Sequence, residues 1–421
     1  NINSRLCSTH SNRRIKTMIE AVSKDKCLPE ILALFPDLVA HRHDIHQHPD
    51  CGFETQRTIG KIKEFLEKHN VSSKDMDDAT CPGSLFVEIK GNLPGKTIGF
   101  RADIDALKMK DKSEKEWTSK IDGHAHACGH DGHQTWLMGA AAYMAEHRDF
   151  PGTLVCLFQG AEETGKGAES VVKSGFLDKY NIQEMYAAHD EPFLKKGEVG
   201  FKVGHLQAAS DSFAVKFIGA GTHGGRPHQG MDPIPALSEM YLAMQTIVSR
   251  KVDPLESAVV SVCFMNAGTL GTYNVLPGEA VMGGTVRTFL PEVRDLVENT
   301  IKRMAEGIAL AHGLKAEVTY ERLISSVNND ERLTKEGVRI AQDLLGKDKI
   351  YPDFKPFMSS EDFSVYQEKV PGTICRIGIS DENHTVPLHN PKFDFNDEVL
   401  ALASTLFVKI AQERLNALSK E

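Results

Sequence analysis

Ten consecutive residues in the first third of the chain concentrate side chains that bind metal ions. They read His124-Ala-His126-Ala-Cys128-Gly-His130-Asp131-Gly-His133. Imidazole, thiolate and carboxylate groups are the usual ligands of zinc and related divalent ions. One glycine separates Cys128 from His130, so an extended or turning backbone would direct both side chains to the same side. A polar surface loop is the alternative, but the density of histidine favours a metal site.

Further groups suited to metal binding or proton transfer lie where predicted strands end. They are Asp103 and Asp105 at TIGF, Glu162 and Glu163 after TLVCLFQ, His189 and Asp190 after EMYAA, and His389 before the last predicted helix. In a parallel sheet, ligands gather in the crevice outside the carboxyl ends of the strands. We therefore expect these side chains to converge with Cys128 and His130 on one site.

The adjacent glutamates Glu162 and Glu163 indicate a hydrolytic role for that site. Neighbouring side chains at a strand end point in different directions, so one carboxylate can coordinate metal while the other faces substrate. A carboxylate beside an activated water can serve as general base and later protonate a leaving amine. The chain has no HExxH motif, which excludes the usual single-zinc protease arrangement.

Two other interpretations of the same residues remain open at this point. Cys128 could act as a nucleophile, as in cysteine amidases, although Glu163, His189 and His389 would then be unexplained. The chain could also be a non-catalytic metal-binding or assembly protein. A structural metal site does not need a spare carboxylate such as Glu162 beside its ligands.

The predicted elements that position these residues form an α/β fold with a second domain inserted. Helices are predicted at 29–47, 55–69, HQTWLMGAAAYMAEH and GAESVVKSGFLDKY, with strands between them, so a mostly parallel, helix-covered sheet is expected. From about residue 210 to 320 the order changes to β-α-β-β-α-β, the split ferredoxin-like unit. We predict a catalytic domain at 29–206 and 321–421, an inserted α+β domain at 207–320, and an N-terminal extension at 1–28.

Length and composition limit the possible classes of protein. A chain of 421 residues is too long for one ordinary core, and a net charge of -9 argues against nucleic-acid binding. No apolar run is long enough to span a bilayer, so no membrane partner is expected. Eight cysteines without a CxxC pair are typical of a reducing compartment, hence a cytoplasmic protein. The basic start of the chain resembles a transit-peptide remnant as much as a frayed terminus, which leaves an organelle open.

Two polar tracts outside the cluster are interpreted as supporting structure. The four histidines of HRHDIHQHP are spread around a predicted helix, so we expect hydrogen-bonded or solvated side chains, some of which support the site. The charged segment KMKDKSEKE is predicted to be a solvated loop or a lid.

The motifs also resemble a known family. HQHPDCGFE, RADIDAL, HACGHDGH, FQGAEE, GMDPI, NVLPG, GTVRTF, SSEDFS and LHNPKFDFND look like motifs of the di-metal amidohydrolases, in order, from about residue 36 to 415. This family contains aminoacylases, hippurate hydrolases, plant auxin–amino acid conjugate hydrolases and glutamate carboxypeptidases. The closest resemblance is to its hippurate and auxin-conjugate branch.

The resemblance implies an enzyme that cleaves the amide bond of small N-acyl amino acids with two divalent metal ions per subunit. Zinc is the expected metal, with manganese or cobalt as alternatives. Glu162 matches the family's general acid/base. The matching metal ligands are Cys128, which could bridge both ions, His130, Glu163, His189 and His389. A metallo-dipeptidase or carboxypeptidase with the same chemistry is the alternative.

The resemblance extends to residues of the inserted domain and implies a homodimer. His223 matches a histidine that reaches into the partner subunit's site, and Asn274 and Arg287 match positions that hold the substrate carboxylate. The segment HDEPFLKKGEVG is charged where the branch has an apolar pocket-forming segment. The acyl group that the enzyme prefers therefore stays open.

Overall fold

The computed structural model describes residues 25–421. The predicted N-terminal extension, 1–28, lies outside the described residues except for its last four. One compact unit contains the described residues up to Gly204 together with Asn328–Lys355 and Val365–Glu421, and a second contains His205–Val327 and Pro356–Ser364. None of the helices in the described part combines the length and apolar composition needed to cross a bilayer.

The helices and strands of both units are numbered here in chain order. The helices are α1 (Pro29–Gln47), α2 (Gln56–Glu67), α3 (His130–Glu146), α4 (Gly167–Lys173), α5 (Phe176–Lys179), α6 (Pro233–Arg250), α7 (Pro291–Ala311), α8 (Glu331–Leu345), α9 (Ser364–Gln367) and α10 (Leu400–Leu418). The strands are β1 (Met76–Asp77), β2 (Leu85–Lys90), β3 (Leu93–Asp103), β4 (Pro151–Gln159), β5 (Ile182–Lys195), β6 (Val199–Gly200), β7 (Gly204–Gln207), β8 (Ala209–Ile218), β9 (Thr222–His223), β10 (Ala258–Ala267), β11 (Val275–Leu276), β12 (Glu279–Thr288), β13 (Lys315–Ile324), β14 (Val327–Asn329), β15 (Ile350–Tyr351) and β16 (Gly372–Ser380).

The first unit is built on an eight-stranded sheet in the order β1-β2-β4-β3-β5-β16-β6-β15. The four central strands, β4, β3, β5 and β16, are parallel, and antiparallel pairs join β2 and β6 to them. Their carboxyl ends share one edge of the sheet, which is where ligands are expected. The predicted mostly parallel α/β fold is confirmed.

Helix α3 explains why this sheet is covered so tightly. All its residues are buried except Tyr143 and Glu146, so it is enclosed on every side in the manner of a core helix. It packs between α1 and α10 and against β3. A Cβ at Gly139 would stand 2.5 Å from Ser404 Oγ, so glycine allows α10 to approach closely. Burial of each large side chain, such as Trp136, contributes roughly 1.5–3 kcal/mol.

The second unit has a four-stranded antiparallel sheet in the order β10-β12-β8-β13. Helices α6 and α7 pack against it, and the chain order is β8-α6-β10-β12-α7-β13, the βαββαβ arrangement of a ferredoxin-like unit. Its limits differ from the predicted ones. Strand β13 continues to Ile324, and residues 356–364, placed by the sequence in the catalytic domain, belong to this unit.

Candidate metal centre

The side chains that could hold metal come from the carboxyl edge of the parallel sheet and from two loops beside it. Asp103 ends β3, Glu162 and Glu163 follow β4, His189 lies in β5, Cys128 and His130 stand at the start of α3, and His389 lies in the loop before α10. Gly129 precedes α3 with φ +78°, and a Cβ there would stand 2.5 Å from Asp190 Oδ1. Glycine is therefore required between the thiol and the imidazole.

Cys128 lies at the middle of the cluster. Its Sγ is 3.2 Å from His389 Nε2 and 3.7 Å from His189 Nε2. Glu163 Oε1 is 3.4 Å from His389 Nε2 and 3.9 Å from His130 Nε2. Ligand atoms of one zinc ion, each about 2.0–2.3 Å from it, stand roughly 3–4 Å apart. The spacing therefore suits metal coordination.

The histidines are oriented as metal ligands usually are. His130 Nδ1 donates a hydrogen bond to the main-chain oxygen of Asp105 (2.9 Å), and His189 Nδ1 donates to that of Asp190 (2.8 Å). These bonds assign the proton to Nδ1 and leave the Nε2 lone pair for a cation. Within the described chain, buried His130 Nε2 and Glu163 Oε1 have no hydrogen-bond partner. A divalent cation would satisfy both atoms, so the residues present fit a metal.

Two groups of potential ligands share one residue. Cys128, His130 and His189 form one group, and Cys128, Glu163 and His389 form the other, with ligand atoms no more than 4.8 Å apart in each. His389 has φ +59°, an uncommon conformation for a residue other than glycine. Its N–H donates to the main-chain oxygen of Ala127 at 2.7 Å, which joins its loop to the residue before Cys128.

Asp105 holds the two glutamates in place. Its Oδ1 accepts the backbone N–H of Glu162 (3.0 Å) and its Oδ2 accepts that of Glu163 (3.2 Å). The Asp105 carboxylate is buried. Sequence analysis identified Asp105 only as a residue near a strand end, because its partners lie almost sixty positions further along the chain.

A second buried network lies directly behind the potential ligands. His133 Nδ1 is 2.5 Å from Asp103 Oδ1, and its Nε2 is 2.9 Å from Asp190 Oδ1. Burial lowers the pKa of His133, but the Asp103 and Asp190 carboxylates together raise that pKa above its usual value. Because both ring nitrogens of His133 are engaged, we interpret it as a support for the site rather than a ligand.

The electrostatics of the cluster depend on burial. Burial, and then the Glu163 carboxylate, raise the pKa of the Cys128 thiol well above its usual value. Burial lowers the pKa of His130, but the Asp103 carboxylate, with further polar contacts, raises it well above its usual value. Without a cation these groups therefore hold protons, and metal binding would release them.

The three remaining predicted site residues belong to the second unit. His223 on β9 pairs with Val275 on β11, and Gly224 N–H donates to Asn274 O at 2.7 Å. His223 Nδ1 accepts the N–H of Gly225 at 3.0 Å, which assigns the imidazole proton to the other nitrogen, Nε2. Arg287 lies on β12 and donates to Ser360 Oγ at 3.4 Å. Burial lowers the pKa of its guanidinium.

Comparison with known proteins gives concordant matches over most of the chain. The family model of peptidase family M20/M25/M40 matches residues 99–413. An N-acetylcysteine deacetylase of Bacillus subtilis is 36% identical over 375 residues, covering 89% of this chain and 96% of the relative. A hippurate hydrolase of Campylobacter jejuni is 34% identical, covering 92% and 99%. The crystal structure of a B. subtilis dinuclear metal binding peptidase from the M20 family superposes with a TM-score of 0.80 at 33% identity, covering 91% and 99%.

Proposed function

The chain belongs to peptidase family M20/M25/M40, and from this membership we propose that it hydrolyses N-acyl amino acids to a carboxylic acid and a free amino acid. The predicted family and enzyme class are confirmed. Relatives named for an N-acetylated amino acid and for hippurate support this substrate class. One observation carries the proposal: three imidazole Nε2 atoms, one thiol and one carboxylate converge, with a second carboxylate adjacent.

We propose that this cluster holds two divalent metal ions. Cys128, His130, Glu163, His189 and His389 would be the ligands, and the membership of Cys128 in both groups supports a bridging role. The dinuclear relative supports the number of ions. Thiolate and imidazole together favour zinc, with manganese and cobalt as alternatives.

The chain's own residues account for proton transfer and for orientation. The metal ions, when bound, would supply an acidified water and a polarised carbonyl. Glu162 would take the proton of the attacking water on its carboxylate and deliver it to the nitrogen of the leaving amino acid. Asp105 would keep Glu162 and Glu163 at fixed positions through their backbone N–H groups.

We further propose that the enzyme is a homodimer in which the site is completed by His223 of the partner subunit. The assigned Nε2–H of His223 could donate to the oxyanion that forms when water attacks. Asn274 and Arg287 would hold the substrate carboxylate. Exposed apolar side chains on α6 and edge strand β10, including Leu242 and Phe264, supply a surface suited to a two-fold interface.

A reducing cellular compartment, with the cytoplasm as first choice, is part of the proposal. The seven cysteines in the described part of the chain are all free. Structural disulfides are typical of oxidising compartments and rare in the cytosol.

Substitution of the two glutamates separates their proposed roles. Glu162→Gln should keep both ions and lose roughly 10²–10⁴-fold in turnover, whereas Glu163→Gln should lose metal as well. Glu169→Gln, an exposed position on α4, is the matched control. Turnover would be measured as release of free amino acid from N-acetyl, N-benzoyl and indole-acyl amino acids and from dipeptides, with metal content by elemental analysis. Full activity of metal-free wild type, or hydrolysis of dipeptides alone, would contradict the proposal.

Mixed dimers test the shared site. His223→Ala and Glu162→Gln subunits should each be nearly inactive alone, but mixing them should create some dimers with one intact site and recover part of the activity. If subunit exchange is demonstrated and activity does not rise, the sharing of His223 is wrong.

A further inference from the structure

The buried guanidinium of Arg42, on α1, connects two segments that carry proposed ligands. Its NH1 donates to Asp131 Oδ2 at 3.0 Å, and its Nε donates to Asp397 in a short hydrogen bond. Asp394 lies 3.9 Å from its NH2 group. Arg42 itself has no exposed surface. A single side chain thus contacts carboxylates that are more than 250 residues apart in sequence.

These carboxylates are close in sequence to the proposed ligands. Asp131 is the residue after His130, and Asp394 and Asp397 follow His389 within one short segment. The two sides of the cluster, one at the start of α3 and the other in the loop before α10, are therefore joined through one rigid group. Guanidinium is planar and presents its donors in a fixed fork, so it sets a separation that a flexible ammonium would not.

Neighbouring side chains also contact the start of α3 and the loop before α10. His46 Nδ1 is 2.8 Å from Asp131 Oδ2, and its Nε2 is 3.2 Å from Asp111. The indole of Trp117 donates to Asp394 at 3.0 Å. Asp111 belongs to the charged segment predicted to be a solvated loop or a lid, and Trp117 directly follows that segment, so these contacts anchor it.

Further contacts complete the enclosure of Asp397 and Asp394. His43 Nε2 is 2.8 Å from Asp397 Oδ2, and its ring stacks on Trp117 at 3.7 Å between centroids. Lys115 pairs with Asp394 at 3.1 Å. Two of the four histidines in the tract, His43 and His46, thus contact the carboxylates that Arg42 joins, whereas His48 bonds to the main-chain oxygen of Asp44 in α1.

We propose that Arg42 is a positioning residue that fixes the separation between the His130 and His389 sides of the metal cluster. The inference rests on the proposed function, because it assumes that the cluster binds metal. Stability alone does not require a buried arginine, since apolar residues of similar volume often replace buried ion pairs without loss. The link between two ligand-bearing segments is what distinguishes Arg42 from other buried ion pairs.

A second buried arginine provides the matched control. Arg414, on α10, donates to Glu184 at 2.9 and 3.2 Å, and Glu184 also accepts from Arg332. None of these residues lies within five positions of a proposed ligand except Glu184, which precedes His189 by five. Arg42→Met and Arg414→Met should both unfold at a lower temperature, because each removes a buried cation that donates to buried carboxylates.

Metal affinity is the measurement that distinguishes Arg42→Met from Arg414→Met. Zinc affinity, determined by competition with a chromophoric chelator, should fall roughly 10–100-fold in Arg42→Met and stay within about twofold of wild type in Arg414→Met. Arg42→Lys keeps the positive charge but loses the planar set of guanidinium donors, so its zinc affinity should lie between those of wild type and Arg42→Met. Cobalt-loaded protein should show a changed thiolate-to-cobalt absorption band only in the Arg42 variants.

Each outcome bears on one claim. Equal zinc affinity in wild type and Arg42→Met, or equal weakening in Arg414→Met, would overturn the inference. If Arg42→Met does not fold, Asp397→Asn gives the same test, because it weakens the contact of Arg42 with the loop that carries His389 and keeps its contact with Asp131. Wild-type protein that binds no zinc would instead count against the proposed function.

Discussion

Asp105→Asn is a sharp test of how the two glutamates are held. The Asp105 carboxylate accepts one backbone N–H with each oxygen, at 3.0 Å from Glu162 and 3.2 Å from Glu163. Asparagine has nearly the same volume but only one acceptor oxygen. Its NH₂ group must therefore face one of the two N–H donors. A hydrogen bond to a charged group contributes about 1.5–3 kcal/mol, so the loss in unfolding free energy should be about 2–3 kcal/mol.

The same substitution should affect turnover more than this stability loss suggests. Displacement of either glutamate backbone would move the proposed base or a proposed ligand, and loss of such a supporting contact typically costs 10–100-fold in activity or metal affinity. Urea unfolding of metal-free protein and turnover of the reloaded enzyme would measure the two effects separately. Asp77→Asn is the control, since Asp77 also accepts two backbone N–H groups but lies on edge strand β1. Wild-type turnover in a destabilised Asp105→Asn would refute the positioning argument.

Three further perturbations follow from individual contacts. Burial lowers the pKa of His46, but the Asp131 and Asp111 carboxylates together raise it to about 9. The resulting stabilisation, about 3 kcal/mol, is present below about pH 6.5 and lost as pH rises through 9, so urea titrations over this range should show a smaller loss of unfolding free energy for His46→Gln than for wild type. Trp117→Phe removes the 3.0 Å bond to Asp394 and should lower the unfolding free energy by about 2 kcal/mol, measured by denaturation. Gly129→Ala would place a Cβ 2.5 Å from Asp190 Oδ1 at a positive φ, so zinc content should fall while circular dichroism still shows a folded chain.

The sequence predicted most reliably the features encoded by neighbouring residues. Helix α1 was predicted at its exact bounds, and the βαββαβ order of the second unit was predicted from periodicity and turns. The helix predicted over GAESVVKSGFLDKY instead divides into α4 and α5, because Gly175 adopts φ +81° between them. The strand predicted at EMYAAH extends from Ile182 to Lys195, since pairing with β16 overrides the polar residues at its carboxyl end.

Contacts between distant segments were not predictable from local pattern. Arg42 and Asp397 are 355 positions apart, and no periodicity indicates that they meet. Asp111 lies in a segment whose lysines and glutamates suggest solvent, yet Asp111 contacts His46, and Lys115 and the adjoining Trp117 contact Asp394. The strand-end positions did predict which residues could share the carboxyl edge of the sheet. The placement of His389 in the cluster was expected from its position before the last predicted helix and from the family resemblance.

The insertion of the second unit between β5 and β16 has a consequence for how the protein is made. These two strands are neighbours in the sheet, yet the His189 and His389 codons are separated by about 200 others. At roughly 5–20 residues per second, a ribosome needs on the order of 10–40 s to translate that interval. Throughout it, the nascent chain carries four of the five proposed ligands beside an apolar sheet that α10 does not yet cover. A cluster that needs His389 is therefore incomplete until this interval has been translated, so the full proposed ligand set forms only near the end of synthesis.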